Sequence, residues 1–251
     1  CLSVAQELSN RGASVGFVTH GEQAMARRIT AAGFQHVDLG RLPGHLESQP
    51  QQSWSGEQQS IDACRTIEAI GDTCTALVVD HYGLDARWEQ RVHALTSKLV
   101  AIDDLANRPH SVDIVTDQNW YGPHTNARYH QLVDSDCVTL LGPRYAILQS
   151  DYRRARMTRS AANWPPQSIL VQFGGTDPHG ETEKVLAALS DGAFSAIDVK
   201  VVVGATERVN PRIQELVTAR SKTSLHVAVP SVAPFLIDAD LAIGASGAAT
   251  W

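Results

Sequence analysis

The sequence predicts an α/β fold in which two Rossmann-like domains, each built on a parallel sheet, face a cleft. Short continuous apolar runs alternate with helical patterns of about 10–15 residues, which is typical of βαβ crossovers whose helices bury both faces of a sheet. Two such series meet at a Pro-rich stretch near residue 165. The 251 residues correspond to roughly 1.7 domains at about 150 residues per domain, a length that fits one large domain or two small ones.

In the first series, apolar spacing and glycine positions indicate where each element begins and ends. The apolar residues of the first ten positions recur at helical spacing before Gly12, a natural helix stop. Residues 40–56 are rich in Pro, Gln, Ser and Gly, and they predict a long loop. Helices are predicted over 1–10, 22–32, 60–70 and 86–95, and strands over 13–20, 76–80, 99–102 and 112–115, and residues 140–142 close this series.

The second series begins after a change in character at residues 150–167. An Arg-rich helical segment, interpreted as a solvated helix face, is followed there by Pro165 and Pro166, which indicate a linker. The predicted domains are therefore 1–160 and 161–251. Strands are predicted over 168–173, 199–203, 225–229 and 241–243, and helices over 181–189, 211–219 and 232–238.

Composition argues against several classes of function. A net charge of -6 is unfavourable for nonspecific nucleic-acid binding, and without a run of 18 apolar residues no transmembrane helix or membrane partner is expected. Four dispersed cysteines suggest reduced thiols and a cytoplasmic location. The ten histidines lack metal-ligand spacing, so no metal or cofactor is expected. The Gly-x-Ser-x-Gly and Gly-x-Gly-x-x-Gly motifs are absent.

Four polar clusters follow predicted strands, where open parallel sheets bind ligands. Residues 174–177 and 244–247 are glycine-rich strand-to-helix turns that suit a phosphate, or simply tight turns with Thr176 or Asp177 as a helix cap. Residues 80–83 offer an imidazole and a phenol for proton transfer or hydrogen bonding, although such side chains are more often structural. The fourth cluster joins residues 103–104 (Asp-Asp) with 117–119 (Asp-Gln-Asn), and its acidic residues are interpreted mostly as turn caps.

Five ordered motifs resemble a known family. They lie at residues 79–84 (Val-Asp-His-Tyr-Gly-Leu), 102–110 (Ile-Asp-Asp-Leu-Ala-Asn-Arg-Pro-His), 117–119 (Asp-Gln-Asn), 142–146 (Gly-Pro-Arg-Tyr-Ala) and 173–177 (Phe-Gly-Gly-Thr-Asp). Together they are similar to the UDP-2,4-diacetamido-2,4,6-trideoxy-β-L-altropyranose hydrolases of bacterial pseudaminic acid synthesis. The resemblance covers nearly the whole chain.

The resemblance implies a GT-B-like fold and metal-independent hydrolysis of a UDP-linked diacetamido-trideoxy-hexose at its anomeric carbon, which releases UDP and the free sugar. It implies catalytic roles for Tyr82 and His81. It implies UDP binding by the second domain, with Val232 near uracil by looser analogy. The substrate-binding residues that it implies are Asp80, Arg144, Gly174, Gly175, Thr176, Asp177, Val232, Ser246 and Gly247.

The ends of the sequence qualify this expectation. Cys1 opens directly on a helical pattern and Trp251 follows a Gly-Ala-Ser-Gly stretch, so we interpret the chain as a fragment lacking both ends. A strand should precede helix 1–10, and a helix should follow Gly247. The family's presumed base is a His in a loop that would precede Cys1. The chain by itself is therefore expected to have weak or no turnover.

Two other functions remain open at the sequence level. A glycosyltransferase would use the same UDP-sugar with a sugar or lipid acceptor in place of water. A nucleotide-sugar-binding module would hold the same ligand without turnover. The expected partner is in each case a UDP-sugar, and the oligomeric state is left open.

Overall fold

The computed structural model describes residues 1–21, 23–41, 54–204, 210–245 and 247. The chain divides into two compact units, Cys1–Ile147 and Leu148–Trp251. The predicted division at 160/161 lies one helix further along. Helix Ser150–Thr158 belongs to the second unit because it packs against helix Ala233–Ile237 of that unit.

The first unit contains two parallel sheets. Strands β1 and β2 pair in register and form a two-stranded sheet, and β3 to β6 form a four-stranded sheet in the order β3-β4-β5-β6. Consecutive parallel strands in this order place all their carboxyl ends on one edge of the sheet. The strands are β1 (Gly16–Thr19), β2 (Gln35–Asp38), β3 (Leu77–Val79), β4 (Leu99–Ile102), β5 (Ile114–Asp117) and β6 (Val138–Leu141).

Local sequence signals position the helices of the first unit. The helix over Gly56–Ile70 begins with a capping box, in which Ser55 and Gln58 each accept a hydrogen bond from the other's backbone nitrogen. Asp85 caps the next helix by accepting from the backbone nitrogen of Arg87 at 2.9 Å. The helices are α1 (Leu2–Asn10), α2 (Gln23–Ala31), α3 (Gly56–Ile70) and α4 (Ala86–Val92), with short 3-10 helices at His93–Leu95, Gly122–Ala127 and Pro143–Tyr145.

The core of the first unit lies between helices α3 and α4 and the four-stranded sheet. Leu99 and Ala101, on one face of β4, are fully buried and share a cluster with Ala63 of α3 and Trp88 and Val92 of α4. This packing fixes β4 in the middle of the unit. The residues that follow β4 are thereby held at the carboxyl edge of the sheet.

The described residues of the second unit form one parallel sheet in the order β10-β7-β8-β9, covered on both faces. Ile169 and Val171 pack into one core, while Leu170 between them packs into another. This explains why its strands read as continuous apolar runs. The elements are α5 (Ser150–Thr158), β7 (Ser168–Gln172), α6 (Glu181–Leu189), β8 (Asp198–Val203), α7 (Pro211–Ala219), β9 (Thr223–Val227), α8 (Ala233–Ile237) and β10 (Leu241–Gly244), with a short 3-10 helix at Gly192–Phe194.

Most predicted elements are confirmed, and the differences have local causes. Strand β2 was not predicted because Gln35–Asp38 contains one aliphatic residue and gains its stability from pairing with β1. Strand β5 lies two residues later than predicted. Helix α3 begins four residues earlier, at its capping box. The predicted loop over 40–56 is described only at residues 40–41 and 54–56.

Candidate functional site

A cavity of about 230 Å³ opens at the carboxyl edge of the β3-β4-β5-β6 sheet. It collects the residues that directly follow β3, β4 and β5, together with the start of α1. Three motif segments, 79–84, 102–110 and 117–119, contribute residues to its lining. A fourth, 142–146, is hydrogen-bonded to the end of β5 through Gly142 and Asp117. The lining residues are Cys1, Ser3, Asp80, Tyr82, Ile102, Asp103, Asp104, Thr116, Gln118 and Ile147.

Tyr82 and Asp80, two of the predicted site residues, both line this cavity. Burial, a hydrogen bond with the Asp104 side chain and the negative charges of Asp104, Asp80 and Asp103 raise the pKa of Tyr82 to about 12. The phenol therefore stays protonated near neutral pH, which suits a hydrogen-bond or proton donor better than a base. Asp80 accepts a hydrogen bond at 3.1 Å from the main-chain nitrogen of Cys1.

His81 does not line the cavity with its neighbours. Its ring packs edge-on against Trp54, with centroids 4.4 Å apart, and its Nδ1 accepts from the backbone nitrogen of Gly83 at 3.0 Å. A Cβ on Gly83 would lie 2.5 Å from the Trp54 ring, so the glycine makes this packing possible. A structural role accounts for these contacts, and the catalytic role of His81 stays a prediction.

Behind the cavity wall lies a buried charge network that the sequence did not predict. Asp103, fully buried, has its Oδ1 2.6 Å from Nη1 of Arg108, and its Oδ2 accepts from the backbone nitrogen of Ala106 at 3.0 Å. His110 places Nδ1 2.7 Å from Oε1 of Glu89 and Nε2 3.7 Å from Oδ2 of Asp103. Residues 103, 108 and 110 of one motif thus form a single cluster.

The protonation of this network follows from its contacts. Burial alone would lower the pKa of His110, but the carboxylates of Asp103 and Glu89 outweigh it and raise the pKa to about 9. Burial likewise opposes ionisation of Asp103, yet His110, Tyr129 and Arg108 hold its pKa well below the usual range. An imidazolium between two buried carboxylates therefore supports the cavity wall.

Tyr129 and Arg128 extend the network to β5. The Tyr129 hydroxyl donates to Oδ2 of Asp103 at 2.7 Å, and Arg128 Nε donates to Oδ2 of Asp117 at 3.1 Å. Burial raises the pKa of Asp117 despite its hydrogen bonds with Asn119 and Arg128. The cap roles predicted for Asp103 and Asp117 are confirmed, because each accepts a hydrogen bond from a following backbone nitrogen.

His20, directly after β1, is a half-buried charged group that sequence reasoning missed. Its Nδ1 faces the carbonyl of Gly40 at 2.9 Å, and its Nε2 faces the buried carboxylate of Asp62. Burial opposes the charge, but these two acceptors raise the pKa of His20. Trp88 also donates to Asp62, at 2.6 Å, so the pair is tied to the core. The position of His20 at the carboxyl end of a predicted strand was the sequence signal that could have marked it as a candidate residue.

Arg144 lies in the 3-10 helix that follows β6, and its side chain is exposed. Gly142 before it has φ +90, and its backbone nitrogen donates to the carbonyl of Asp117 at 2.7 Å. Within the described part of the chain, Arg144 makes no hydrogen bond or ion pair. Its contact with substrate stays a prediction.

In the second unit, Gly174 and Gly175 form an exposed turn directly after β7, and Gly174 has φ +81. Gly204, at the end of β8, lies against this turn, since a Cβ there would be 1.8 Å from the carbonyl oxygen of Gly175. Gly244 likewise leaves no room for a side chain beside the carbonyl of Gln172. Sequence reasoning did not single out Gly204. The need for a glycine at this position is visible only once β7 and β8 are known to be neighbours.

Asp177 acts as the cap of α6, the structural alternative that the sequence offered. Its carboxylate accepts from the backbone nitrogens of Glu181 and Thr182, both at 2.9 Å, and these bonds outweigh burial and lower the pKa of Asp177. The first amides of the helix are thus occupied by a carboxylate. A phosphate in this turn would meet the exposed amides around Gly174, Gly175 and Thr176 instead.

The remaining predicted residues lie around α8 and after β10. Val232 caps α8 and is half-buried, and its carbonyl accepts from Phe235 at 3.0 Å. Gly247 is exposed. Ser246 lies outside the described residues. The ligand contacts of all three stay predictions.

Two general findings concern the described ranges only. Within them, no three His, Cys, Asp or Glu residues are grouped in a way that could hold a metal ion. No described helix is both long enough and apolar enough to cross a membrane.

Comparison with known proteins gives two curated relatives. An uncharacterized protein of Methanocaldococcus jannaschii is 25% identical over 255 aligned positions, which cover 98% of this chain and 48% of that protein. The UDP-2,4-diacetamido-2,4,6-trideoxy-β-L-altropyranose hydrolase of Campylobacter jejuni is 26% identical over 142 residues, which cover 56% of this chain and 47% of that enzyme. The chain spans about half the length of these relatives. No protein-family model matches the sequence.

Solved structures share the fold. MurG of Acinetobacter baumannii aligns over 99% of this chain and 69% of its own, with a TM-score of 0.55 and 13% identity. UGT89C1 of Arabidopsis thaliana, solved in complex with UDP, aligns over 99% of this chain and 72% of its own, with a TM-score of 0.53 and 10% identity. At these identities the likeness concerns the fold alone. The predicted α/β, GT-B-like fold class is confirmed.

Proposed function

We propose that the protein hydrolyses a UDP-linked diacetamido-trideoxy-hexose at its anomeric carbon, releasing UDP and the free sugar, as a step in pseudaminic acid synthesis. The observation that carries the proposal is the similarity over 142 residues to the Campylobacter jejuni enzyme named for this hydrolysis. The GT-B-like fold and the polar cavity at the end of β3 support it.

The chemistry assigns different tasks to the two units. In the second unit, the exposed amides around Gly174 and Gly175 would neutralise the charge that develops on the departing diphosphate. In the first unit, the protonated Tyr82 would donate a hydrogen bond to the sugar. Water attacks the anomeric carbon, the bond to the diphosphate oxygen breaks, and UDP leaves with the electron pair. The water proton passes to a base, for which a neutral histidine is suited near neutral pH.

A glycosyltransferase is the second candidate. The fold likeness to UGT89C1, which was crystallised with UDP, extends over 99% of this chain and favours a UDP site without favouring water as the acceptor. A nucleotide-sugar-binding protein without turnover is the third candidate. It uses the same loops and differs only in the outcome of the assay.

The deciding experiment incubates the full-length protein with the UDP-diacetamido sugar and no acceptor, and follows UDP release. Hydrolysis predicts UDP and free sugar in equal amounts. The Tyr82→Phe variant should lose about a hundredfold in kcat, because it removes one donor from the reacting sugar. Tyr152→Phe, a matched change in α5, should retain the wild-type rate.

The other outcomes separate the candidates. UDP that appears only after an acceptor is added would support the glycosyltransferase and contradict hydrolysis. Binding of the UDP-sugar without UDP release under either condition would support a nucleotide-sugar-binding protein and contradict both enzymatic functions. A Tyr82→Phe enzyme with an unchanged kcat would remove Tyr82 from the mechanism.

A further inference from the structure

Asp104 presents in the cavity wall a buried carboxylate oxygen that no described donor reaches at normal hydrogen-bond distance, and the Tyr82 hydroxyl interacts with the same carboxylate. Its Oδ1 is buried and has no hydrogen-bond partner among the described residues. A buried polar atom without a partner is costly, so such atoms are rare and call for an explanation. The cavity beside Asp104 is polar and open, so a ligand can supply the missing donor.

The rest of Asp104 is held in place by its neighbours. Oδ2 accepts from Nδ2 of Asn119 at 3.3 Å, and the main-chain carbonyl accepts from the hydroxyl of Tyr121 at 3.0 Å and from Nη2 of Arg128 at 2.7 Å. Oδ2 is therefore anchored by Asn119, and Oδ1 stays open to a donor from a ligand, next to the Tyr82 hydroxyl that interacts with the same carboxylate. An acceptor fixed in advance in this way loses little entropy when a ligand binds.

Gln118 provides a complementary donor in the same cavity. Its Oε1 accepts from the backbone nitrogen of Ile147 at 2.9 Å, which turns the Nε2 group away from Ile147. Within the described residues, Nε2 has no hydrogen-bond partner. The cavity is thus lined by the amide of Gln118, a donor, and by the Asp104 carboxylate, whose Oδ1 is an acceptor, the pair that an acetamido group, with its C=O and N–H, would satisfy.

Size and charge decide which part of a nucleotide-sugar fits. The cavity of about 230 Å³ is smaller than the roughly 300–1,000 Å³ of pockets that hold drug-sized ligands, so it suits a sugar better than a whole nucleotide-sugar. Asp80 and Asp104 line it, and among the described residues neither carboxylate is paired with an arginine, whereas Asp103 is paired with Arg108 and Asp80 with the amino group of Cys1. A diphosphate would be repelled by the Asp104 carboxylate, whereas an uncharged N–H or O–H donor would be attracted.

We propose that Asp104, with Gln118, determines specificity for an acetamido-bearing sugar by accepting a hydrogen bond from its amide N–H in this cavity. The inference rests on the proposed function, which requires a diacetamido sugar but does not say what recognises it. Asp104 acts here as a binding residue, and no proton is transferred in the interaction.

The anchoring by Asn119 suggests a sharp test. In Asp104→Asn, the new amide would keep its oxygen toward the Asn119 amide and turn its NH2 into the cavity, where it would face the ligand N–H. The Asp104→Asn/Asn119→Asp double variant offers an acceptor at position 119, so the amide at position 104 can reverse and return an oxygen to the cavity. Asp136→Asn, an exposed site in the same unit, is the matched control.

Calorimetry with UDP and with the UDP-diacetamido sugar measures the effect. We expect Asp104→Asn to weaken binding of the UDP-sugar about ten- to hundredfold, the size of one hydrogen bond to a charged group, and to leave UDP binding unchanged. The double variant should recover most of that loss, and Asp136→Asn should match the wild type. Equal weakening of both ligands, or an unchanged UDP-sugar affinity, would overturn the inference.

A second measurement does not depend on the diphosphate. Saturation transfer from the protein to the acetamido methyl groups of the free diacetamido sugar should be present in the wild type and lost in Asp104→Asn. If neither UDP nor the UDP-sugar binds, the proposed function fails, while this signal still supports the acetamido site. Absence of the signal in the wild type would contradict the site, even if the protein releases UDP from the UDP-sugar.

Discussion

The imidazolium of His110 predicts that the first unit loses stability as the pH rises from about 6.5 to 9. Its pKa lies at about 9 in the folded protein, against 6.5 for an ordinary histidine. Between these values the folded state keeps a proton that the unfolded chain releases, so the free energy of unfolding falls as pH rises. The contribution is complete below pH 6.5 and is lost above pH 9.

The magnitude follows from the pKa difference. At about 1.4 kcal/mol for each pKa unit, the rise from 6.5 to about 9 corresponds to about 3 kcal/mol. This is a large part of the roughly 5–15 kcal/mol that stabilises a typical domain. His110 is 4% exposed and faces Glu89 and Asp103, so solvent screens the interaction little.

Urea unfolding between pH 6 and 9.5, followed by tryptophan fluorescence, measures this effect, since buried Trp88 reports on the first unit. The His110→Gln variant should be less stable at pH 6 by about 3 kcal/mol and should show a flatter pH dependence. His20→Gln is the comparison, because His20 also has a raised pKa and contributes with the same sign. A wild-type stability that is constant or rises over this range, or a His110→Gln profile as steep as the wild type, would refute the reasoning.

Two further predictions concern local packing. Gly204→Ala should destabilise the second unit by about 1–3 kcal/mol in urea unfolding, because its Cβ would overlap the carbonyl of Gly175, whereas Gly192→Ala, whose Cβ meets open space, should be neutral. Equal free energies of unfolding for the two variants would show that the turn after β7 can shift to accommodate the added Cβ. Ser55→Ala should lower the free energy of unfolding by about 1 kcal/mol, since it removes the capping-box acceptor, and an unchanged urea midpoint would contradict that role.

Particular residues show how far the sequence predicts this structure. The bounds of β4, α6 and α7 match the prediction because continuous apolar runs and helical periodicity are strong local signals. Strand β2 was missed because its residues carry no such signal. The early start of α3 could have been predicted, since Ser55 and Gln58 have the spacing of a capping box.

The candidate site was predictable in part. Tyr82 and Asp80 were expected near a ligand and do line the cavity, and Asp177 was recognised as a possible cap. The cluster of Asp103 with Glu89 and Tyr129 was not predictable, because these residues lie far apart in sequence and meet only when α4 packs on the sheet. Neither the periodicity nor the spacing of residues indicates such contacts.

The sequence by itself determined the alternation of strands and helices, the glycine turns after the strands and the polar character of the strand ends, because these depend on local conformational preference. Only the tertiary structure decided which polar residues share a cavity and which are buried as ion pairs. The order β3-β4-β5-β6 brings Tyr82, Asp104 and Gln118 to one edge, and the packing of Trp54 takes His81 away from it. The physical reason is that strand adjacency and side-chain burial arise from packing between distant segments.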